Sequence, residues 1–419
     1  MKTFDFTEAA FFNRFVNLFI FYLVLISFLL PSCKNKHMEK SDEEILKIAY
    51  KICENNIIID SHIDWPEWVL AFPEDISGRT QRGDFDLERA QKGGLNASLS
   101  VIYLDSELKL DESRAMFDTM LTLIRSYPEK YPDKFSLAKN PEEIKKNFKR
   151  KLFSLPLCLE NGLPIDNDLK FIRHLKDLGF VYVTLCHDKA NQISDSSFDT
   201  LRKWNGLSPF GIEVIQELNR CGIMVDISHS TDSTVFQALR YSKAPVVATH
   251  SSCRHFIPGY ERNLSDTLIK AIARKNGVVM VNFGSMFLDS TCQRNADEAI
   301  NYMDANGIVV YSQAGTDYLK EFVKTHKVVS NSNRLVDHID HIVKTAGIDY
   351  VGIGSDFDGI GPTQPSDVPD VSGYPVVVCE LLKRGYTEKD IKKILSGNFL
   401  RVWDEVIKTG ERLSKNSDK

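Results

Sequence analysis

Eight short runs rich in β-branched and apolar residues, separated by longer stretches of helical periodicity, limit what this chain can fold into more than any other feature. The runs are 57–64, 95–104, 155–160, 181–187, 223–229, 246–251, 278–283 and 350–356. Helical spacing of apolar residues falls between them at 111–127, 168–178, 210–220, 233–240, 265–275 and 334–346. Glycines at 179, 222, 277 and 347 mark helix-to-strand turns. Strand and helix in strict alternation imply parallel strands joined by right-handed crossovers. Eight such units predict an α/β fold closed as a (β/α)8 TIM-type barrel. A doubly wound open sheet is the competitor, and no glycine-rich phosphate loop supports it. Two long interruptions, after the second run and at 286–333, are expected to cap the C-terminal mouth.

Polar groups fall where such a barrel gathers them. The first run ends in His62 and Asp64, the third in Glu160, the fourth in His187, the fifth in His229, the sixth in His250 and the eighth in Asp356. All strand C-termini of a closed parallel barrel open on one face, where active sites are built. Imidazole and carboxylate donors without thiolate suit zinc, and less specifically manganese, iron or cobalt. One ion needs three protein ligands and an open position, so this many groups imply two ions, with a carboxylate such as Glu160 bridging them.

The remaining features bound the setting. Of 419 residues, 43% are hydrophobic and 26% charged, enough for one large soluble domain. A net charge of -5 gives no support to nucleic acid as a partner. The eight cysteines form no CxxC pair, which argues against a cysteine-rich zinc module and leaves room for one or two disulfides at most. At the N-terminus an apolar run at 15–30 follows Arg14 and ends in Leu30-Pro31-Ser32-Cys33 before Lys34-Asn35-Lys36. It resembles a bacterial lipoprotein signal with Cys33 as the lipidated residue; a short uncleaved anchor is the alternative. The expected organisation is a signal segment 1–33, a charged tether 34–43 and a single barrel domain 44–419, exported and membrane-tethered at a bacterial envelope.

The ordered motifs are Asp60-Ser61-His62-Ile63-Asp64-Trp65-Pro66, Leu159-Glu160-Asn161-Gly162, Thr184-Leu185-Cys186-His187-Asp188-Lys189-Ala190-Asn191 and Asp226-Ile227-Ser228-His229. Thr249-His250-Ser251, Arg262-Asn263, Gly354-Ser355-Asp356-Phe357-Asp358-Gly359 and Gly397-Asn398-Phe399-Leu400-Arg401-Val402 follow. Together they resemble the membrane (renal-type) dipeptidases, zinc peptidases of the amidohydrolase-like barrel superfamily, from about residue 44 to about 405. The resemblance implies that His62 and Asp64 hold one zinc and His229 and His250 the other, with Glu160 bridging. It implies that His187 contacts substrate and steadies the oxyanion, and that Arg262 pairs with the substrate carboxylate. Asp356 would take the proton from the zinc-bridging water, leaving hydroxide as the nucleophile, and pass it to the leaving amine. A homodimer is also implied. Two departures bear on substrate preference: Asn161 follows Glu160 where the mammalian enzymes have Gly, and Gly284 stands where they carry an aromatic.

Plainer roles compete at several positions. His187 suits a strand-end histidine satisfied by backbone, Arg262 a surface arginine, and Asp356 and Asp358 a glycine-flanked turn. Asp337-His338 and Asp340-His341 imitate a metal cluster, yet their helical spacing favours a solvated or capping face. The expected activity is hydrolysis of free dipeptides. The alternatives are a related barrel amidohydrolase acting on cyclic amides, lactones or β-lactams, and a catalytically silent metal-binding barrel.

Overall fold

The structure, a computed structural model, describes residues 41–309 and 312–417. Cys33 and the apolar run before it lie outside those residues. No described helix is long and apolar enough to cross a membrane.

Ten strands form one sheet: β1 Ile59–Ile63, β2 Ala97–Tyr103, β3 Phe135–Leu137, β4 Phe153–Leu155, β5 Leu157–Glu160, β6 Phe180–Thr184, β7 Met224–Asp226, β8 Val246–Ala248, β9 Val278–Val281 and β10 Val351–Ile353. Eight of them pair in parallel in the order β1-β2-β5-β6-β7-β8-β9-β10. The first and last meet. Ile63 bridges Phe357, Asp64 N donates to Phe357 O at 2.9 Å, and Asp356 N donates to His62 O at 3.0 Å. Asp60 reinforces the seam by accepting from Ser355 N at 2.9 Å and from the Tyr374 hydroxyl. The sheet is therefore a closed (β/α)8 barrel.

The sequence explains the two-sided burial. Every residue of β1, β5, β6 and β9 is buried, as expected for parallel strands covered on both faces. Ile59, Ala97, Met224 and Val278, near strand starts, cluster with Phe399, Val402, Trp403 and Val406 of helix Asn398–Ser417, which floors the barrel opposite its mouth. Outward-facing strand residues join the helices in a second, larger core. Helix starts are set by side-chain caps: Asp168, Ser208, Thr231, Ser265 and Asn331 each accept a backbone N–H of the first turn. Each cap contributes on the order of 1 kcal/mol.

Four expectations change. Seven of the eight core strands stop one to three residues earlier than the β-rich runs, the exception ending at Glu160 as expected, so His187, His229, His250 and Asp356 occupy the loops just beyond strands. The third run is split at Pro156, which cannot donate to the ladder, into β4 and β5. The insertion after β2 does not cap the mouth: β4 pairs at Ala97, the start of β2, so β3 and β4 extend the sheet at the far end. His338 is not on a solvated face. It is fully buried, accepting from Cys253 N at 3.0 Å through Nδ1 and donating from Nε2 to Leu288 O at 2.9 Å. Asp337 and Asp340 instead share Arg384. The seven described cysteines are free thiols, so no disulfide forms among them.

Candidate metal centre

Each donor reaches the mouth by a local device. His62 is the next-to-last residue of β1, where the register with β2 shifts between Asp60 and Ile63. Asp64 holds the N-cap position of helix Trp65–Ala71 but makes no capping hydrogen bond, so its carboxylate stays available. Glu160 is the last residue of β5. His229 and Asp356 turn inward in left-handed backbone, at φ of 65° and 64°. Non-glycine residues in that region cost of order 1–3 kcal/mol each and concentrate at functional sites.

The donors converge. Glu160 Oε2 lies 3.3 Å from His62 Nε2, and Glu160 Oε1 lies 3.2 Å from both His229 Nε2 and His250 Nε2. Asp64 Oδ2 and Asp356 Oδ1 stand 3.5 Å and 3.9 Å from His62 Nε2. Three overlapping triads, His62/Asp64/Glu160, Glu160/His187/His229 and His62/His250/Asp356, each bring their ligand atoms within 4.8 Å of one another. All are buried except His187 and the partly covered Asp356 carboxylate.

Their unmet valences fit a cation. His62 Nε2, Asp64 Oδ1 and Glu160 Oε1 are buried without a hydrogen-bond partner, a costly arrangement unless something positive sits among them. The His62 ring is oriented from behind: its Nδ1 donates to the Tyr182 hydroxyl at 2.8 Å, which donates on to Ser61 O at 3.1 Å. Thr249 Oγ1 donates to Asp226 Oδ2 at 2.6 Å and so accepts from His250 Nδ1 at 2.9 Å. Both rings therefore turn an unprotonated Nε2 toward Glu160. That arrangement behind a histidine is what metal ligation requires.

Comparison with known proteins agrees. The family model described as membrane dipeptidase (peptidase family M19) matches residues 46–417. The chain belongs to the membrane dipeptidase family. Membership makes it a metallo-dipeptidase, a hydrolase. Dipeptidase verJ of Clonostachys rogersoniana is 29% identical over 391 residues, covering 90% of this chain and 91% of that one. Among solved structures, the probable dipeptidase PvdM of Pseudomonas aeruginosa is 25% identical at a TM-score of 0.78, covering 88% of this chain and 99% of that one. A metallo peptidase from Rhodobacter sphaeroides, solved with a phosphinate mimic of the dipeptide L-Ala-D-Ala, shares the fold at a TM-score of 0.71 and 22% identity, covering 84% and 100%.

Electrostatics in this membrane dipeptidase family member follow from crowding. Burial pulls the His229 and His250 pKa values well below the ordinary imidazole range, helped by Arg262 and His187 at the first and by His62 at the second. Burial pulls His62 down too, but Glu160, Asp356 and Asp226 outweigh it and leave it raised. Glu160 is held well below the usual carboxylate range: burial pushes it up, and His62, His229 and His250 more than offset that. Asp64 is raised by burial, then by Glu160 and Asp356. Glu67 is pushed up to about 7, first by burial and then by Glu160.

A cavity of about 450 Å³ opens over the donors. His187 lines it, its ring against Tyr103 and against His229 at centroid distances of 4.8 Å and 4.3 Å. The insertion at 286–333 does cap this mouth, with Ala296, Met303, Leu319 and Val323 forming an apolar wall. Arg262 is no surface residue: it is 3% exposed, donating to His250 O at 2.9 Å and to Ser251 Oγ at 3.0 Å, with its Nε unpartnered.

The two departures have physical reasons. Asn161 has φ 72°, a backbone region Asn tolerates next best after Gly. Its side chain donates to Leu104 O at 2.9 Å and accepts from Asn191 at 3.0 Å, tying three loops of the mouth together. At Gly284 a Cβ would come within 2.9 Å of both Ile360 Cγ2 and Phe287 Cδ2, so those side chains occupy the space an aromatic would need. Among the positioning residues, Tyr182 and Asn282 escape sequence reasoning, and Asp226 and Thr249 stand in the quoted motifs without an assigned role. They sit in or beside strand runs, and only a hydroxyl, amide or carboxylate within an apolar strand could have signalled them.

Proposed function

We propose that this chain is a zinc-dependent dipeptidase that cleaves the peptide bond of free dipeptides. The observation that carries the reading is the Glu160 carboxylate shared between His62 on one oxygen and the His229–His250 pair on the other. His62 and Asp64 would hold one zinc ion, His229 and His250 a second, and Glu160 would bridge them. Two bound zinc ions would supply hydroxide near neutral pH and polarise the scissile carbonyl.

The protein's own groups do the rest. Asp356 Oδ2 accepts from Asn282 Nδ2 at 2.7 Å, which leaves Oδ1 turned toward His62 and free to take a proton and return it to the leaving amine. His187, its side chain 22% exposed on the cavity, would donate to the oxyanion of the tetrahedral species. Arg262, buried beside His229, supplies a planar donor for the substrate carboxylate. The capping wall encloses the cavity and disfavours longer peptides.

The N-terminal reading joins the proposal on sequence alone: residues 1–33 direct export, Cys33 carries lipid, and 34–43 tethers a barrel of 44–419 to a bacterial envelope membrane. A homodimer is likewise proposed from the resemblance.

The deciding experiment measures bound metal together with hydrolysis of dipeptides of varied stereochemistry, tripeptides, N-acetylated dipeptides, cyclic amides, lactones and β-lactams. Two zinc ions per chain and chelator-sensitive cleavage confined to free dipeptides is the expected result. Cleavage of cyclic amides, lactones or β-lactams in preference would favour the amidohydrolase alternative, and metal without hydrolysis a silent barrel.

A further inference from the structure

The cavity over the donors is electrically lopsided. Behind one end Arg262 lies against the ring of Phe287, which lines the cavity, its guanidinium 5.2 Å from the centroid, and it donates to His229 Nε2 at 3.1 Å. The apolar wall of Met286, Phe287, Met303 and Val323 begins there. The other end is acidic: Glu67, in the first turn of helix Trp65–Ala71, and Asp105, just past β2, line the same cavity beside Asp64 and Tyr103. Glu67 is half-buried and takes part in no hydrogen bond or ion pair among the described residues. Among the described residues no lysine or arginine lines the cavity, and the His187 ring on the same lining offsets the acid only in part. A partly desolvated carboxylate facing a binding cavity without a protein partner is satisfied by a ligand or by water alone.

We propose that Glu67, with Asp105 as an outer charge, determines specificity by taking a cationic group carried by the N-terminal residue of the substrate. The assignment rests on the dipeptidase reading, because the arginine end fixes where the substrate's C-terminal carboxylate goes and so which residue meets Glu67. A zwitterion reaching from the Arg262 end to Glu67 would cross the stretch of the cavity lined by Glu160, His187 and His229. The shared chemistry is an ammonium, and it has two sources: the free α-amine, or a lysine-type side chain at that residue.

Calorimetric binding of phosphinate pseudodipeptides to the zinc-loaded protein tests this without depending on turnover. Three compounds identical except at the N-terminal residue serve as probes: lysine-like with free α-amine, norleucine-like with free α-amine, and norleucine-like without an amine. In Glu67→Gln the cation-bearing compounds are expected to weaken about tenfold, the range for a lost charge-assisted hydrogen bond. Weakening of the lysine-like compound alone assigns the side-chain cation; weakening of both amine-bearing compounds assigns the α-ammonium. Equal weakening of all three, or shifts below twofold in all, overturns the proposal. Turnover of the parent dipeptides by the unaltered protein is scored separately. Its absence would sink the dipeptidase reading while leaving any Glu67-dependent binding of the amine in place.

Discussion

His229 Nε2 and His250 Nε2 lie 2.8 Å apart, and the Arg262 guanidinium, 3.1 Å from the first, is the positive charge the chain itself sets beside them. Thr249 holds the His250 proton on the opposite nitrogen, and burial disfavours charging either ring. Both nitrogens also converge on Glu160 Oε1 at 3.2 Å, a donor set that a metal ion is expected to fill.

Zinc should accordingly stabilise the fold. Saturation at a thousandfold over the dissociation constant adds about 4 kcal/mol, a rise of several degrees in thermal midpoint. Thermal unfolding with and without chelator, beside elemental analysis, checks this. His250→Ala should lower zinc content below two per chain, and an unchanged midpoint on chelation would count against a structural fit.

Glu160→Gln removes a charge but little volume. The variant should keep native circular dichroism and lose turnover by at least about a hundredfold, since a neutral amide cannot balance two cations. Full activity in this variant would overturn the bridging role.

Asp356→Asn should depress kcat by about 10²- to 10⁴-fold with a smaller change in KM, the signature of a lost proton acceptor. Steady-state kinetics on a single good dipeptide distinguish this from a binding defect.

Tyr182→Phe deletes one oxygen from the barrel interior and releases the His62 ring. Zinc affinity should fall about 10- to 100-fold, as when a partner behind a ligating histidine is lost. Competition with a chromogenic chelator measures it, and an unchanged affinity would reduce Tyr182 to a packing residue.

His338 gives a pH prediction remote from the metal donors. Burial first, helped by the neighbouring Arg334 charge and only partly opposed by the hydrogen bond to Leu288 O, pulls its pKa down to about 3 from an ordinary 6.5. The folded state thus favours the neutral ring, and the unfolded chain binds the extra proton between those values. Its contribution is complete above pH 6.5 and is lost as pH falls toward 3, at most about 5 kcal/mol. Urea midpoints at pH 7.5 and 4.5 should therefore differ less in His338→Gln than in the unaltered chain.

The sequence by itself determined the barrel and the side chains that converge at its mouth. Strand patterning is local, and alternation with helices leaves few topologies, so the eight core strands and the convergence of His62, Asp64, Glu160, His229 and His250 were legible in advance. Tertiary structure decided what depends on partners distant in the chain. Only closure of β1 onto β10 shows that Tyr182 reaches His62, that Asn282 holds Asp356, and that the helical pattern around His338 is buried. It also decided which insertion caps the mouth, because β4 pairs with the first residue of β2 and not the last. Periodicity records which face of an element is apolar, but not which neighbour that face meets. Glu67 illustrates the limit: it reads as an ordinary first-turn acid until the fold turns it into the cavity.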